Sequence, residues 1–425
     1  MYKAICFIII VVSASALSAQ SAQIGNNSSL IINDSLKRQK FLKQIGNGFF
    51  PTKLLNIDMR YLVKYNQYEG FRTGLGGVTS PHFSEKYRIN SYLVYGFRDH
   101  RFKYRIGGSF RINDATKTWV NLFYIDDLQE TGSSKFLTDN RFFSFFEPRL
   151  LNIDLFHKHI TKAVSLEHEF SFKLSSELEL ATSKIEPTYN YQFKVNDVTY
   201  RNFDITNIKL SLQWDPFDSR QIDENGKPTI KGGYPKFSLQ FSQSIRNNIA
   251  GDFNFFKTDF RTIHRFIHNE QSFTEAVLAT GLALGDTPLT HLYHAYPNNI
   301  NKETILQRFS VAGLNSFETM YFNEFFSDRF SILQVKHFVK PFRITKRFKP
   351  QLVLISRMAI GDMNNIERHE DITFGTLSKG YSEAGFEINK LLFGFGLSFA
   401  YRYGGYHLPS IGDNIAAKFT FNIAL

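Results

Sequence analysis

The chain has 425 residues, a formal net charge of +11 and a mean hydropathy of -0.24, with 45 Phe and 20 Tyr but only 2 Trp. Its single cysteine, Cys6, lies in an apolar N-terminal run, so neither disulfides nor Cys-ligated metals are expected in the mature protein. Basic residues are spread along the chain instead of clustering on a helix. This pattern argues against nucleic-acid binding and favours attraction to anionic lipid headgroups or lipopolysaccharide phosphates. No cofactor is predicted.

The N-terminus has the layout of a secretory signal. Lys3 precedes an apolar run, and small residues follow it, so residues 1–22 are interpreted as a cleaved signal peptide. A membrane anchor is the alternative, but the run is shorter than the roughly 20 residues that cross a bilayer. The polar residues 23–50 are predicted to be a short periplasmic N-terminal segment, with one amphipathic helix near residues 36–45. Residues 51–425 are predicted to form one domain.

That domain shows the two-residue period of β-strands. Apolar Phe102, Tyr104 and Ile106, for example, alternate with Lys103 and Arg105. The same period predicts sixteen strands, near residues 54–66, 69–80, 86–97, 101–112, 115–125, 163–175, 177–186, 204–214, 235–245, 254–266, 271–283, 328–340, 349–360, 380–390, 393–403 and 414–425. An even number of strands with one apolar and one polar face is typical of a transmembrane antiparallel outer-membrane β-barrel.

The spacing of the strands predicts long loops at one end and short turns at the other, with the N-terminus in the periplasm. The exception is 215–234, a long polar connection at the turn end. The final strand is expected to close the barrel by pairing with the first. The long connections are predicted at residues 126–162, 187–203, 284–327, 361–379 and 404–413.

Charged residues on the polar face are the candidate functional residues, and basic ones predominate. They could form an anion-favouring lumen or bind an acidic plug. The structural alternative, which the mixed signs within single strands favour, is that they pair across the lumen and stiffen the wall. The lumen-facing candidates are Arg60, Arg101, Lys103, Arg105, Arg111, Arg261, Arg265, Arg357, Glu383, Glu387 and Arg402.

Histidine pairs raise two further possibilities. His157 and His159 share one strand face, as His264 and His268 do, but no acidic ligand stands at a suitable spacing, so no metal site is predicted. A hydrolytic site is conceivable on the 284–327 loop, which carries two histidines and an acid. No nucleophile motif accompanies them, so no catalytic residue is predicted. The three loop residues are Asp286, His291 and His294.

Several phrases resemble a family of Bacteroidota outer-membrane proteins of unknown function, which is distantly similar to the surface-antigen or BamA-like barrels. The matching phrases are YNQYEGFRTGLGG (65–77), YGFRDHRFKY (95–104), MYFNEFFSDRF (320–330), EAGFEINKLL (383–392) and the closing FNIAL. The resemblance implies a membrane barrel, often preceded in the family by a carboxypeptidase-regulatory-like domain. The BamA-like barrels also carry an Arg-Gly-aromatic motif on a lumenal loop, and the 284–327 loop lacks it.

These observations favour a non-enzymatic integral protein of the Gram-negative outer membrane, acting in outer-membrane assembly, translocation or surface structure. The barrel-assembly machinery is the expected partner, through the C-terminal strand. The alternatives are a passive or anion-favouring pore, an outer-membrane hydrolase and a secreted β-sandwich. The oligomeric state is not indicated by the sequence.

Overall fold

The computed structural model describes residues 44–133, 135–137, 153–222, 228–246, 251–299, 311–313, 315–345, 348–392 and 395–421. The predicted signal peptide and most of the predicted periplasmic segment lie outside the described residues. Within the described residues, none of the helices is long and apolar enough to cross a membrane.

Antiparallel pairing joins eighteen strands into one sheet. Each spanning strand pairs with the next one along the chain, so the sheet is an up-and-down meander. Its strands are β1 (Phe49–Pro51), β2 (Leu55–Asp58), β3 (Val63–Asn66), β4 (Gly70–Thr79), β5 (Tyr87–Gly96), β6 (Arg101–Asn113), β7 (Thr118–Glu130), β8 (Phe156–Ser171), β9 (Leu174–Pro187), β12 (Phe203–Trp214), β15 (Lys236–Ser244), β16 (Phe255–Asn269), β17 (Ser272–Gly285), β20 (Arg329–Phe338), β21 (Gln351–Asp362), β23 (Tyr381–Leu392), β24 (Phe395–Gly404) and β25 (Ile415–Phe421).

The sixteen predicted strands are confirmed. A 3-10 helix at Met59–Tyr61 separates β2 from β3, and these two strands together form the first predicted strand because both pair with β4. The remaining strands from β4 to β25 correspond one to one with the other fifteen predictions. β1 is an additional short strand on the outer edge of β2, where Phe49 lies opposite Asp58.

The predicted loop 126–162 is too long, because the sheet extends further at this end. β7 continues to Glu130 and β8 begins at Phe156, with Asp127 opposite His159. These strand ends are rich in charged and polar residues, which hides them from a pattern based on hydrophobic alternation. Asp127 is stabilised there by Arg72, at 2.7 Å between a guanidinium nitrogen and a carboxylate oxygen.

The two faces of the sheet differ as the alternation predicts. Leu75, Leu93, Ile106 and Leu122 lie on one face of neighbouring strands and are all more than half exposed. On the opposite face several charged side chains are buried, among them Lys103, which is only 4% exposed. An exposed apolar band around a buried polar face is the arrangement of a protein whose outer surface contacts lipid.

Most long connections lie at one end of the sheet, although residues 67–69 and 97–100 form short ones there, and the turn end has a further long connection, 339–350, besides the predicted exception. The predicted exception, 215–234, is observed as the connection 215–235 and contains a hairpin of β13 (Ser219–Ile222) and β14 (Pro228–Lys231). At the loop end, β10 (Gln192–Val195) pairs with both β11 (Val198–Tyr200) and β22 (His369–Glu370). Apolar side chains from several loops form a buried cluster beside this small sheet, including Phe193, Phe253, Leu289, Tyr293 and Phe326.

The predicted pairing of the last strand with the first is not among the pairings of the described residues. The outer edge of β2 is occupied by β1. On β25, Phe419 forms a parallel bridge with Val311, and the backbone N–H of Ala312 donates to the carbonyl of Phe419 at 2.7 Å. Each of these two strand edges is therefore covered, at least in part, by another segment of the same chain, which satisfies edge hydrogen-bonding groups.

Candidate functional site on the polar face

The described parts of the connection between β17 and β20 lie on the polar face of the sheet. We call residues 286–328 the insertion segment, which is described at 286–299, 311–313 and 315–328. It contains β18 (Pro297–Asn299) and β19 (Phe317–Tyr321), which pair in parallel. Phe317, Glu318 and Thr319 have no measurable exposure, so this part of the segment is held inside the molecule.

Glu318 connects the insertion segment to β25 by a buried ion pair. Its carboxylate lies 3.0 Å from Nζ of Lys418, and both side chains are almost fully buried. The same carboxylate accepts hydrogen bonds from Ser316, from the backbone of Gly313 and from Asn298. Burial alone would raise the pKa of Glu318, but the charges of Lys418 and Arg357 and the hydrogen bonds to the carboxylate together outweigh it, so the pKa is lowered. The carboxylate is therefore ionised and its acceptor positions are well used.

Glu383 connects the insertion segment to the neighbouring strands. It stands opposite Arg357 of β21 and Arg402 of β24, so the three residues form a row across three strands. One oxygen of Glu383 is 2.6 Å from a guanidinium nitrogen of Arg357. The other accepts from both the backbone N–H and the hydroxyl of Thr319, each at 2.6 Å. Glu383 thus provides a hydrogen-bond acceptor for the buried backbone N–H of Thr319 in the insertion segment.

Glu324 supplies the second acidic contact of the insertion segment. Its two oxygens accept from the two terminal nitrogens of Arg402 at 2.7 and 3.1 Å. This bidentate geometry is the strong form of an arginine–carboxylate interaction. Arg402 also lies over the ring of Tyr381, 4.7 Å from its centroid. Glu318 and Glu324 therefore neutralise two cations of the wall, one on β25 and one on β24.

The first half of the segment is fixed by aromatic and histidine contacts. Tyr293 lies under Nζ of Lys257 on β16, at 4.3 Å from the ring centroid. Gly281 of β17 leaves room for it, since a Cβ atom there would lie 2.6 Å from the Tyr293 ring. His294 reaches β7, where its Nε2 is 2.9 Å from Glu130. The segment therefore contacts β7, β16, β17 and β23 to β25.

The structure brings together some of the predicted charge candidates and separates others. Arg357, Glu383 and Arg402 lie at the insertion segment. Glu387 is near Lys336 at 3.8 Å, and Lys103 forms a separate group with Glu69 and Asp99, at 2.5 Å from each. The others lie elsewhere: Arg60 pairs with Asp58, Arg265 with Glu275 and Arg111 with Asp114, while Arg261 lies over Phe136, Arg105 lies over Phe123 and Arg101 is exposed.

Sequence reasoning missed Glu318 and Glu324, the two residues that carry the contact. The available signal was charge complementarity. The polar face carries an excess of basic residues, and the insertion segment offers acidic ones. Sequence alternation identifies the basic wall but does not show which loop folds onto it.

The histidine arrangement does not form the hydrolytic site that was considered. Asp286 pairs with Arg368 at 2.6 Å and is not directed to a histidine. Nδ1 of His294 accepts from the backbone of Tyr296, which leaves Nε2 as the donor to Glu130. Neither ring nitrogen of His294 then has a free lone pair to act as a base. Burial lowers the pKa of His291 to about 3, so its ring is neutral.

Metal binding finds no support among the described residues, where no three His, Cys, Asp or Glu side chains are grouped to hold an ion. Of the candidate pairs, His157 contacts the hydroxyl of Thr131, and His159 contacts that of Thr161. His268 contacts the hydroxyl of Thr274.

Comparisons with known proteins identify a family and a solved structure of similar fold. Residues 52–282 match the C-terminal domain of a family of unknown function, DUF5686. The crystal structure of BamA from Haemophilus ducreyi lacking POTRA domains 1–3 is similar, with a TM-score of 0.51 and 10% identity over 86% of this chain and 69% of that chain. CdiB from Acinetobacter baumannii has a TM-score of 0.40 and 11% identity, over 87% of this chain and 59% of that chain. No curated protein matches the sequence.

Proposed function

We propose that this chain, which belongs to the DUF5686 family because residues 52–282 match the family's C-terminal domain, is a non-enzymatic integral protein of the Gram-negative outer membrane. Its role is outer-membrane assembly, translocation or surface structure, and its lumen is closed to free diffusion by the insertion segment. Its apolar face contacts outer-membrane lipid and lipopolysaccharide. The barrel-assembly machinery recognises its C-terminal strand.

The observation that carries this proposal is the attachment of the insertion segment to the polar face. Glu318 and Glu324 are bound to cations of two adjacent strands, and Thr319 is bound to Glu383 between them. A passive pore requires this face to line an open, water-filled channel. Buried, paired charges beneath a packed loop are a better match for a barrel that is closed at rest.

The membrane location is supported by the length and surface of the strands. β6 and β7 have 13 residues each and β16 has 15. About 9–11 residues of tilted strand are enough to cross the hydrocarbon layer. Heat-modifiable migration in detergent gels tests this point, because a folded barrel runs differently when unboiled and a secreted β-sandwich does not.

Electrical recording in planar lipid bilayers tests the closed lumen. The wild-type protein is expected to show no steady conductance. The double variant Glu318→Gln, Glu324→Gln, which removes both acidic contacts of the segment, is expected to open channels. A matched control is Glu169→Gln, at an exposed pair with Lys117. Steady anion-selective channels in the wild-type protein would refute the closed lumen and support the pore.

Deletion of the gene in its native host tests the cellular role. Quantitative proteomics of isolated outer membranes is expected to show depletion of other outer-membrane or surface proteins, with normal uptake of small solutes. Loss of solute uptake with an unchanged outer-membrane proteome would contradict the proposed role. Complementation with the wild-type chain serves as the control for secondary mutations.

A further inference from the structure

A second feature of the polar face lies at the turn end, away from the insertion segment. Here residues of β1 and of β4 to β9 line a cavity of about 530 Å³. None of its lining residues belongs to residues 286–328. Ligand sites of small molecules have volumes of roughly 300–1,000 Å³, so the cavity has room for a small ligand.

Three arginines line this cavity, and each guanidinium lies against an aromatic ring. Arg88 and Arg111 approach the ring of Trp119, at 4.6 and 4.9 Å from its centroid. Arg105 lies 4.6 Å from the centroid of Phe123. Contact with a ring restrains an arginine side chain and leaves the edge of its guanidinium, which carries the N–H donors, directed elsewhere.

The three arginines differ in how far their charge is already neutralised. Arg88 donates to Asn121 at 3.1 Å and lies 3.4 Å from Glu167. Arg111 pairs with Asp114, a largely exposed residue at the turn. Among the residues that the structure describes, Arg105 has no carboxylate partner, and its Nε is buried without a hydrogen-bond acceptor. A buried donor of this kind has a strong need for an acceptor.

Gly107 keeps space open next to Arg105. It lies on the same face of β6, two residues further along the strand. A Cβ atom at this position would lie 3.6 Å from Nε of Arg105. A larger side chain here would extend into the cavity, so glycine preserves access to the unpaired donor.

We propose that this cavity is a binding site for an oxyanion, the phosphate group of a small solute or of a lipid headgroup, with Arg105 as its main ligand. The planar fork of donors on arginine matches the oxygens of a phosphate group. Arg111 and the hydroxyl of Ser109 are the other donors on the same strand that line the cavity. The site is independent of the closed lumen proposed above, because it shares no residue with the insertion segment.

The test uses Trp119 as its reporter. The chain has two tryptophans, and Trp214 lies on the apolar face, where it stacks on Phe237. In a Trp214→Phe protein, purified in uncharged detergent, Trp119 is the only source of tryptophan emission. Titration with inorganic phosphate or glycerol 3-phosphate is expected to change this emission saturably. Phosphatidic acid in phosphatidylcholine vesicles is the arm for a lipid-borne phosphate.

Variants at two arginines of β6 decide the outcome. Arg105→Gln is expected to weaken phosphate binding at least tenfold, and Arg105→Lys to retain part of it. Arg101→Gln, at an exposed residue of the same strand outside the cavity, is expected to bind like the parent protein. Equal binding by Arg105→Gln and the parent would overturn the proposal. An identical emission change with chloride at matched ionic strength would also overturn it.

Discussion

Replacing Lys418 by methionine tests whether buried charge pairs hold the insertion segment in place. In the Lys418→Met protein, Glu318 remains buried without the cation that lies 3.0 Å away in the wild-type structure. Removing one partner of a buried ion pair costs about 3–5 kcal/mol. Glu318 keeps its hydrogen bonds from Ser316, Gly313 and Asn298, which places the cost near the lower limit.

A cost of about 3 kcal/mol corresponds to a roughly hundredfold larger population of the detached segment. Hydrogen–deuterium exchange measured by mass spectrometry on peptides from residues 315–328 reads out this population directly. The Lys418→Met protein is expected to exchange on the order of a hundred times faster there. The strands on the opposite side of the sheet, such as β5 and β6, are expected to keep their wild-type exchange.

The double variant Lys418→Met, Glu318→Gln separates a lost attraction from an unpaired charge. Because it has no uncompensated charge, most of the protection is expected to return. Lys117→Met is the control at an exposed pair, where Lys117 lies 2.7 Å from Glu169, and its cost is expected to stay below about 1 kcal/mol. The reasoning fails if exchange of residues 315–328 is unchanged in the single variant, or if the double variant exchanges as fast as the single one.

Three further predictions concern the same end of the molecule. Glu324→Gln loses the charge of the bidentate contact with Arg402 and should give intermittent channel openings in planar bilayers, whereas persistent silence would count against a gating role for this contact. Gly281→Val should displace Tyr293, since a Cβ atom there would lie 2.6 Å from the ring, and protease sensitivity of the insertion segment should rise; unchanged cleavage would contradict this packing. Burial lowers the pKa of His369 to about 3, so its ring is neutral in the folded protein. The stability that this neutral ring contributes is complete above the usual pKa of about 6.5 and declines as the pH falls from there towards 3. The protection factors of residues around β22, measured relative to the intrinsic exchange rate at each pH, should therefore fall between pH 7 and pH 4 in the wild-type protein and fall less in His369→Gln. Equal pH profiles of the two proteins would exclude this group as the cause.

The wall of the barrel could be predicted almost completely from the sequence. The two-residue period of a strand specifies which side chains lie on each face of the sheet. A shift of the pairing register by one residue would move every side chain to the wrong face. The alternation of Phe102, Tyr104 and Ile106 with charged residues therefore predicts which face of the strand is exposed, without knowledge of any partner strand. The pattern failed at the ends of β7 and β8, where polar residues such as Asp127 and His159 continue the sheet beyond the apolar band.

The candidate site could be predicted only in part. The basic residues of the polar face were recognisable, including Arg357 and Arg402, because their positions in each strand are fixed by alternation. Their partners were not recognisable, since Glu324 is 78 residues from Arg402 along the chain and lies in a segment without a repeating pattern.

The sequence by itself determined the number of strands, their order and which face of each strand is apolar, because these properties follow from periodicity over a few residues. Only the tertiary structure decided what covers the polar face. It brings Glu318 and Glu324 to cations on β25 and β24, and it leaves Nε of Arg105 without an acceptor among the described residues, beside a cavity at the opposite end. Contacts of this kind depend on how a long loop folds back onto distant strands, and a local pattern holds no information about that path.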